Sequence, residues 1–191
     1  ELGAGPAISA ALGLTAVALA LALRLGRGFL ICLAIYLALN VLYSLALKRL
    51  VILDVMTIAL GFVLRVEAGA LAIAVEVSSW LLLCTTFVAL FLGFAKRRHE
   101  LALQPQSGTG TRSVLEHYNL TFVDQMINVV TASTIVSYAL YTVDPGTAAR
   151  LGTPHLIVTV PLALYGIFRF LFLLYQRPDR QSPTDAILHD P

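Results

Sequence analysis

Apolar residues fall in long unbroken runs, and polar residues collect in the gaps between them. Six runs stand out: Ala7–Leu23, Phe29–Leu47, Leu50–Val75, Trp80–Ala95, Met126–Val143 and His155–Tyr175. At ~1.5 Å of rise per residue, the longer runs match a hydrocarbon layer roughly 30 Å thick. None alternates apolar with polar as a barrel strand must, so each predicts a membrane-spanning helix. Trp80–Ala95 is short and needs Val77–Ser79 or Lys96 to complete it. The expected fold class is therefore all-α, a polytopic membrane helical bundle, with residues 1–191 forming one membrane-embedded domain.

Composition sharpens this reading. Of 191 residues, 58% are hydrophobic and 13% charged, with a mean hydropathy of +0.83. Soluble domains carry about twice that charged fraction, and a water-soluble globule of this size could not hide so much apolar surface. Soluble, disordered, disulfide-rich and nucleic-acid-binding classes are excluded. The net charge of +2 is too small to argue for a polyanionic partner. Cys32 and Cys84 lie inside apolar runs, where they read as small apolar residues rather than as a disulfide or zinc pattern. The chain opens at Glu1 almost directly into an apolar run and ends in a polar stretch, which is expected of a piece of a longer protein, incomplete at both ends.

The distribution of charge says more than its sum. Counting gaps alternately, one side carries Lys48, Arg49, Lys96, Arg97, Arg98, Arg112, Arg177 and Arg180, and the other only Arg24, Arg27 and Arg150. The richer side is expected to face the cytoplasm. The longest connection, 96–125, belongs to that side. It opens with Lys96-Arg97-Arg98-His99-Glu100, continues through a Gly/Ser/Thr stretch, and carries a short amphipathic helix at Arg112–Asp124 with Val114, Leu115, Tyr118 and Phe122 available for one face.

Charges inside a bilayer are costly and mark places to examine. Asp54 and Arg65 are eleven residues apart in the third run, which returns them to nearly one helix face, with Gly61 between. Asn40, Tyr43, Ser44 and Leu47 form a second stripe leading to Lys48. With Asp54 six residues beyond Lys48, these residues read as the wall of a site, against the blander reading of hydrogen bonds between helices. Glu67 and Arg169 read as structural or snorkelling residues. Lys48, Arg49, Lys96, Arg97, Arg98 and Arg112 gather at one membrane face with Arg65 behind them and Asp54 and Glu100 among them. A cationic mouth with low-dielectric walls suits phosphates.

At these residues the chain resembles a known family. Tyr43-Ser44-Leu45-Ala46-Leu47-Lys48, Leu53-Asp54-Val55, Gly61-Phe62-Val63-Leu64-Arg65 and Gly69-Ala70 are similar to the UbiA superfamily of intramembrane prenyltransferases. Lys96-Arg97-Arg98-His99-Glu100-Leu101, Arg112-Ser113-Val114-Leu115 with Tyr118, and Tyr165-Gly166-Ile167-Phe168-Arg169-Phe170 look like its decaprenyl-phosphate phosphoribosyltransferase branch. That resemblance implies nine transmembrane helices around a cavity open sideways to lipid, of which the six runs here correspond to the third through the eighth. It implies an acidic, magnesium-binding motif upstream of the first run. The second acidic motif of ordinary members is replaced here by the basic 96–100 segment.

The resemblance further implies a membrane glycosyltransferase that moves 5-phosphoribosyl from phosphoribosyl pyrophosphate to a polyprenyl (decaprenyl) phosphate, for cell-wall arabinan precursors. It implies Mg2+ as cofactor and an inner (plasma) membrane location with the site toward the cytoplasm. Tyr43, Lys48, Asp54, Arg65, Lys96, Arg97, Arg98 and Glu100 are the expected substrate-binding residues. Lys48, Lys96, Arg97 and Arg98 would meet phosphates, Tyr43 and Asp54 would orient the ribose or a cation, Arg65 would pair with Asp54 or reach a phosphate, and Glu100 would touch magnesium or hold an arginine. No catalytic residue is assigned, and a homo-oligomer is left open. The alternatives are a conventional prenyltransferase acting on an aromatic or glycerol-phosphate acceptor, a transporter, and a purely structural subunit.

Overall fold

A computed structural model describes residues 4–103, 118–153 and 155–176. Every regular element among them is helical. The order is α1 (Ala4–Arg24), α2 (Arg27–Leu45), a 3-10 turn at Leu47–Arg49, α3 (Leu53–Ala72), α4 (Ser79–Ala102), α5 (Leu120–Val143), the short α6 (Pro145–Leu151), a 3-10 turn at Leu156–Thr159, and α7 (Val160–Gln176). Helices α2, α3, α4, α5 and the stretch Leu156–Gln176 are each long and apolar enough to cross a membrane. Helix α1 has the length, and its described apolar part is Gly13–Arg24. The all-α membrane bundle is as the sequence pattern predicts.

Local chemistry sets the boundaries. Ser78 caps α4 by accepting the Leu81 N–H at 3.1 Å, and Asn119 caps α5 by accepting the Thr121 N–H at 2.7 Å. Asp144 caps α6 by accepting the Thr147 N–H at 2.8 Å, with Pro145 in the first turn, and the helix stops at Gly152, whose φ of 66° suits glycine. Those two Thr147 hydrogen bonds, one from the backbone and one from the hydroxyl, hold the Asp144 carboxyl below its ordinary range.

Two expected boundaries move. The basic run at 96–100 does not open a loop but continues α4 by nearly two turns. At the other side of the connection, Leu120–Asp124 is the first turn of the spanning helix α5, not part of a separate amphipathic helix. Residues 112–117 of that expected helix, Arg112 among them, lie outside the described residues. The physical reason for the first shift is that Arg97 is not solvated there; it turns inward, as described below.

The helices pack mainly in chain order, α2 on α3, α3 on α4 and α4 on α5, with α7 against α5 and α1 on α2. The approach of α3 to α4 is close at Gly93, where an added Cβ would fall 2.5 Å from Val55 Cγ1. The core gathers Val55, Phe91, Phe94, Ala95, Val123, Ile127 and Phe170, with the Phe91 and Phe170 rings 5.0 Å apart. It lies toward the end where α4 finishes and α3 and α5 begin. Elsewhere large apolar side chains such as Leu23, Ile31 and Leu162 are exposed, as lipid-facing residues are in a membrane bundle.

Candidate functional site

Four connections and helix ends converge on one face: the α2–α3 turn, the start of α3, the last turns of α4 and the entry to α5. Asp54, in the first turn of α3, is fully buried. Arg97 reaches it from α4, its Nε donating to Asp54 Oδ2 at 2.7 Å, and is itself only 2% exposed. A second guanidinium nitrogen of Arg97 pairs with Glu100 one turn on. The Tyr118 hydroxyl donates to Asp54 Oδ1 at 2.7 Å and accepts the Ile52 N–H at 2.7 Å. Burial and the bond to Asp54 push the Tyr118 phenol well above its ordinary value, so it stays a protonated donor. Burying two charges is tolerated only when both are paired and hydrogen-bonded, and here they are.

A second pair lies beside the first. Arg98 donates through Nε to Asp124 Oδ1 at 2.7 Å and through a terminal nitrogen to the Leu174 carbonyl at 3.1 Å. It also lies 4.0 Å above the Tyr175 ring, and the Tyr175 hydroxyl donates to Asp124 at 3.1 Å. These contacts bind α4 and α5 to the end of α7.

The expected site residues thus divide. Asp54, Arg97 and Glu100 come together as a clamp, with Arg98 engaged next to it. Arg97 was expected on a phosphate, but its guanidinium is buried between two carboxylates. Arg98 is likewise held by Asp124. Arg65 does not pair with Asp54: eleven residues on, it stands about 16 Å along α3, beyond side-chain reach, and the carboxylate is held by Arg97 instead. Glu100 holds an arginine, the second of its two expected roles.

Lys48 and Arg49 sit on the 3-10 turn, and Lys96 is exposed on α4. Among the described residues, none of these three has a carboxylate partner. Among the same residues no group of three His, Cys, Asp or Glu side chains gathers, and Asp54, Glu100 and Asp124 all face arginines.

Tyr43 and Arg65 belong to a separate feature. A pocket of about 90 Å³ between α2 and α3 is lined by Tyr36, Asn40 and Tyr43 on one side and Thr57, Gly61 and Arg65 on the other. Arg65 lies 4.6 Å from the Phe62 ring centroid and 5.3 Å from that of Tyr36, with no carboxylate on it among the described residues. Thr57 donates to the Leu53 carbonyl, and Asn40 to that of Tyr36. Ser44 and Leu47, expected on the same wall, do not line this pocket. The roles of Tyr118, Asp124 and Tyr175 were not read from sequence. In the sequence Tyr118 reads as one apolar position of an amphipathic helix; its hydroxyl, placed between the Asp54 carboxylate and the Ile52 N–H, distinguishes it.

No family model matches the chain. Among curated proteins it is 34% identical over 137 residues to the decaprenyl-phosphate phosphoribosyltransferase of Corynebacterium glutamicum, covering 68% of this chain and 41% of that protein. It is 32% identical over 130 residues to the protein of that name from Mycolicibacterium smegmatis, with the same shares. To that of Mycobacterium tuberculosis it is 28% identical over 134 residues, 70% of this chain and 44% of the relative. The chain thus spans about two-fifths of the length of these relatives. Over that span it is similar to proteins named decaprenyl-phosphate phosphoribosyltransferase, the UbiA-like branch that its motifs resemble.

Proposed function

We propose that this chain forms part of a membrane-embedded pentosyltransferase that moves 5-phosphoribosyl from phosphoribosyl pyrophosphate to a polyprenyl phosphate, decaprenyl phosphate in the first instance. The product would serve cell-wall arabinan synthesis. The working face is the one where α4 ends, which we assign to the cytoplasmic side of the plasma membrane. The family relationship supports the reaction class. The observation that carries it to particular residues is the sorting of cations: Arg97 and Arg98 are consumed by carboxylates, whereas Lys48, Lys96 and Arg65 meet none among the described residues.

The soluble donor approaches from water and meets Lys48, Arg49 and Lys96 at the mouth. The lipid acceptor enters sideways, its tail among acyl chains and its phosphate drawn to the α2–α3 pocket. Arg65 lies about 16 Å along α3 from Asp54, and no carboxylate among the described residues offsets the cost of its charge there. The pocket's volume of about 90 Å³ leaves room for a phosphate group. A phosphate oxygen of the lipid attacks the anomeric carbon, the bond from that carbon to pyrophosphate breaks, and the lysines stabilise the charge that develops on the leaving group. A phosphate nucleophile is already ionised and needs no general base. Magnesium would be held by the acidic motif that the resemblance implies upstream of the first run, and would supply positive charge to the diphosphate.

The test uses the longer natural protein in lipid, supplied with labelled phosphoribosyl pyrophosphate, polyprenyl phosphate and magnesium. A labelled lipid product is expected, falling at least about tenfold in Lys48→Ala, the scale of losing one charge-assisted contact to the transition state. A folded preparation that makes no labelled lipid would end the proposal.

A further inference from the structure

The backbone at Ile52 is strained. Its φ of 70° and ψ of −49° form a tight γ-turn, closed by the Leu53 N–H donating to the Val51 carbonyl at 2.8 Å. A β-branched residue pays heavily for positive φ and holds it only where surrounding contacts force it. The forcing contact comes from 66 residues away: the Tyr118 hydroxyl accepts the Ile52 N–H at 2.7 Å. The same hydroxyl donates to buried Asp54, which Arg97 holds from a third direction. Immediately before this turn lie Lys48 and Arg49, two of the cations with no carboxylate partner among the described residues.

We propose that Tyr118 is a positioning residue: its hydroxyl pins the γ-turn at Ile52 and so sets where Lys48 and Arg49 stand at the mouth. The clamp is thereby more than a structural ion pair. It fixes the α2–α3 connection against the entry of α5, so that the lysine and arginine present their charges in one place. The consequence for catalysis rests on the transferase reading; the consequence for the turn does not.

Two measurements on the full-length protein keep these apart. In the first, Cys32 and Cys84 are replaced by Ala and spin labels are placed through Leu50→Cys and Leu103→Cys, both exposed positions. A narrow distance distribution is expected, widening in Tyr118→Phe. The same Tyr118→Phe change in an Ile52→Gly background should move it less, because glycine holds positive φ without a pin. An unchanged distribution, or equal movement in both backgrounds, would overturn the proposal.

In the second, Tyr118→Phe should raise KM for phosphoribosyl pyrophosphate about tenfold, the scale of one lost hydrogen bond, with kcat within about twofold. Label movement with KM unchanged would overturn the positioning role. If the unsubstituted protein transfers nothing while the labels still respond, the turn's dependence on Tyr118 stands and the transferase reading falls.

Discussion

The clamp and the α2–α3 pocket share helix α3, and they treat arginine in opposite ways. At Asp54 the guanidinium of Arg97 is 2% exposed and pressed between two carboxylates and a protein core. At Gly61 and Arg65, further along α3, the guanidinium lies over aromatic rings beside a small cavity, with no carboxylate on it among the described residues. The first arrangement answers its own charge. The second leaves a charge to be answered by something else. In a membrane protein that difference separates cations that build from cations that bind.

The comparison breaks most readily at the clamp. Replacing Arg97 with Met strands a buried carboxylate and should cost about 3–5 kcal/mol, enough to abolish a stable fold in detergent. The double change Asp54→Leu with Arg97→Met should recover much of that loss, because two apolar groups replace two charges. Thermal unfolding followed by size-exclusion chromatography would show both. If Arg97→Met unfolds no earlier than the unsubstituted protein, the clamp is not structural.

A smaller effect is expected where α3 meets α4. Gly93→Ala would drive a methyl into Val55 and should destabilise by about 1–3 kcal/mol, partly relieved by Val55→Ala. Equal melting temperatures for Gly93→Ala and the unsubstituted protein would show that the two helices can part freely. That would weaken the claim that the clamp is held from both sides.

The smallest effect lies at the opposite end of the bundle, at the α6 cap. The folded-state value of Asp144 is depressed by its Thr147 hydrogen bonds. Its stabilising contribution is therefore present above the ordinary carboxylate value and lost as pH falls through the lower, folded one. Melting temperatures of the unsubstituted protein and Asp144→Asn should differ near about pH 6 and converge toward about pH 3. A constant difference across that range would remove the cap from the account.

Much of the architecture was legible before any coordinates. Unbroken apolar runs can only be helices in lipid, and the gaps between them give the order of spans. The cationic face was legible too, because Lys and Arg collect where charge need not cross the bilayer. Pairing was not. Asp54 and Arg65 share a helical stripe, so periodicity suggested each for the other. Arg97 lies 43 residues from Asp54 on another helix, and nothing in local spacing brings them together. The basic run at 96–100 reads as a solvated loop when counted by charge, yet one arginine of it is buried and draws the helix onward. Tyr118 shows the same limit: its ring fits an apolar face, while its hydroxyl serves two groups that only the tertiary fold brings near.

The central claim is that Arg97 and Arg98, held by carboxylates, build the fold, and that Arg65, which meets no carboxylate among the described residues, meets a phosphate. Binding of polyprenyl phosphate and of the uncharged polyprenol to full-length protein, compared with Arg65→Gln, tests it most directly. The account predicts that the unsubstituted protein prefers the phosphate, that Arg65→Gln weakens phosphate binding by about tenfold or more, and that alcohol binding and melting temperature barely change. Equal affinity of both proteins for the phosphate would contradict it.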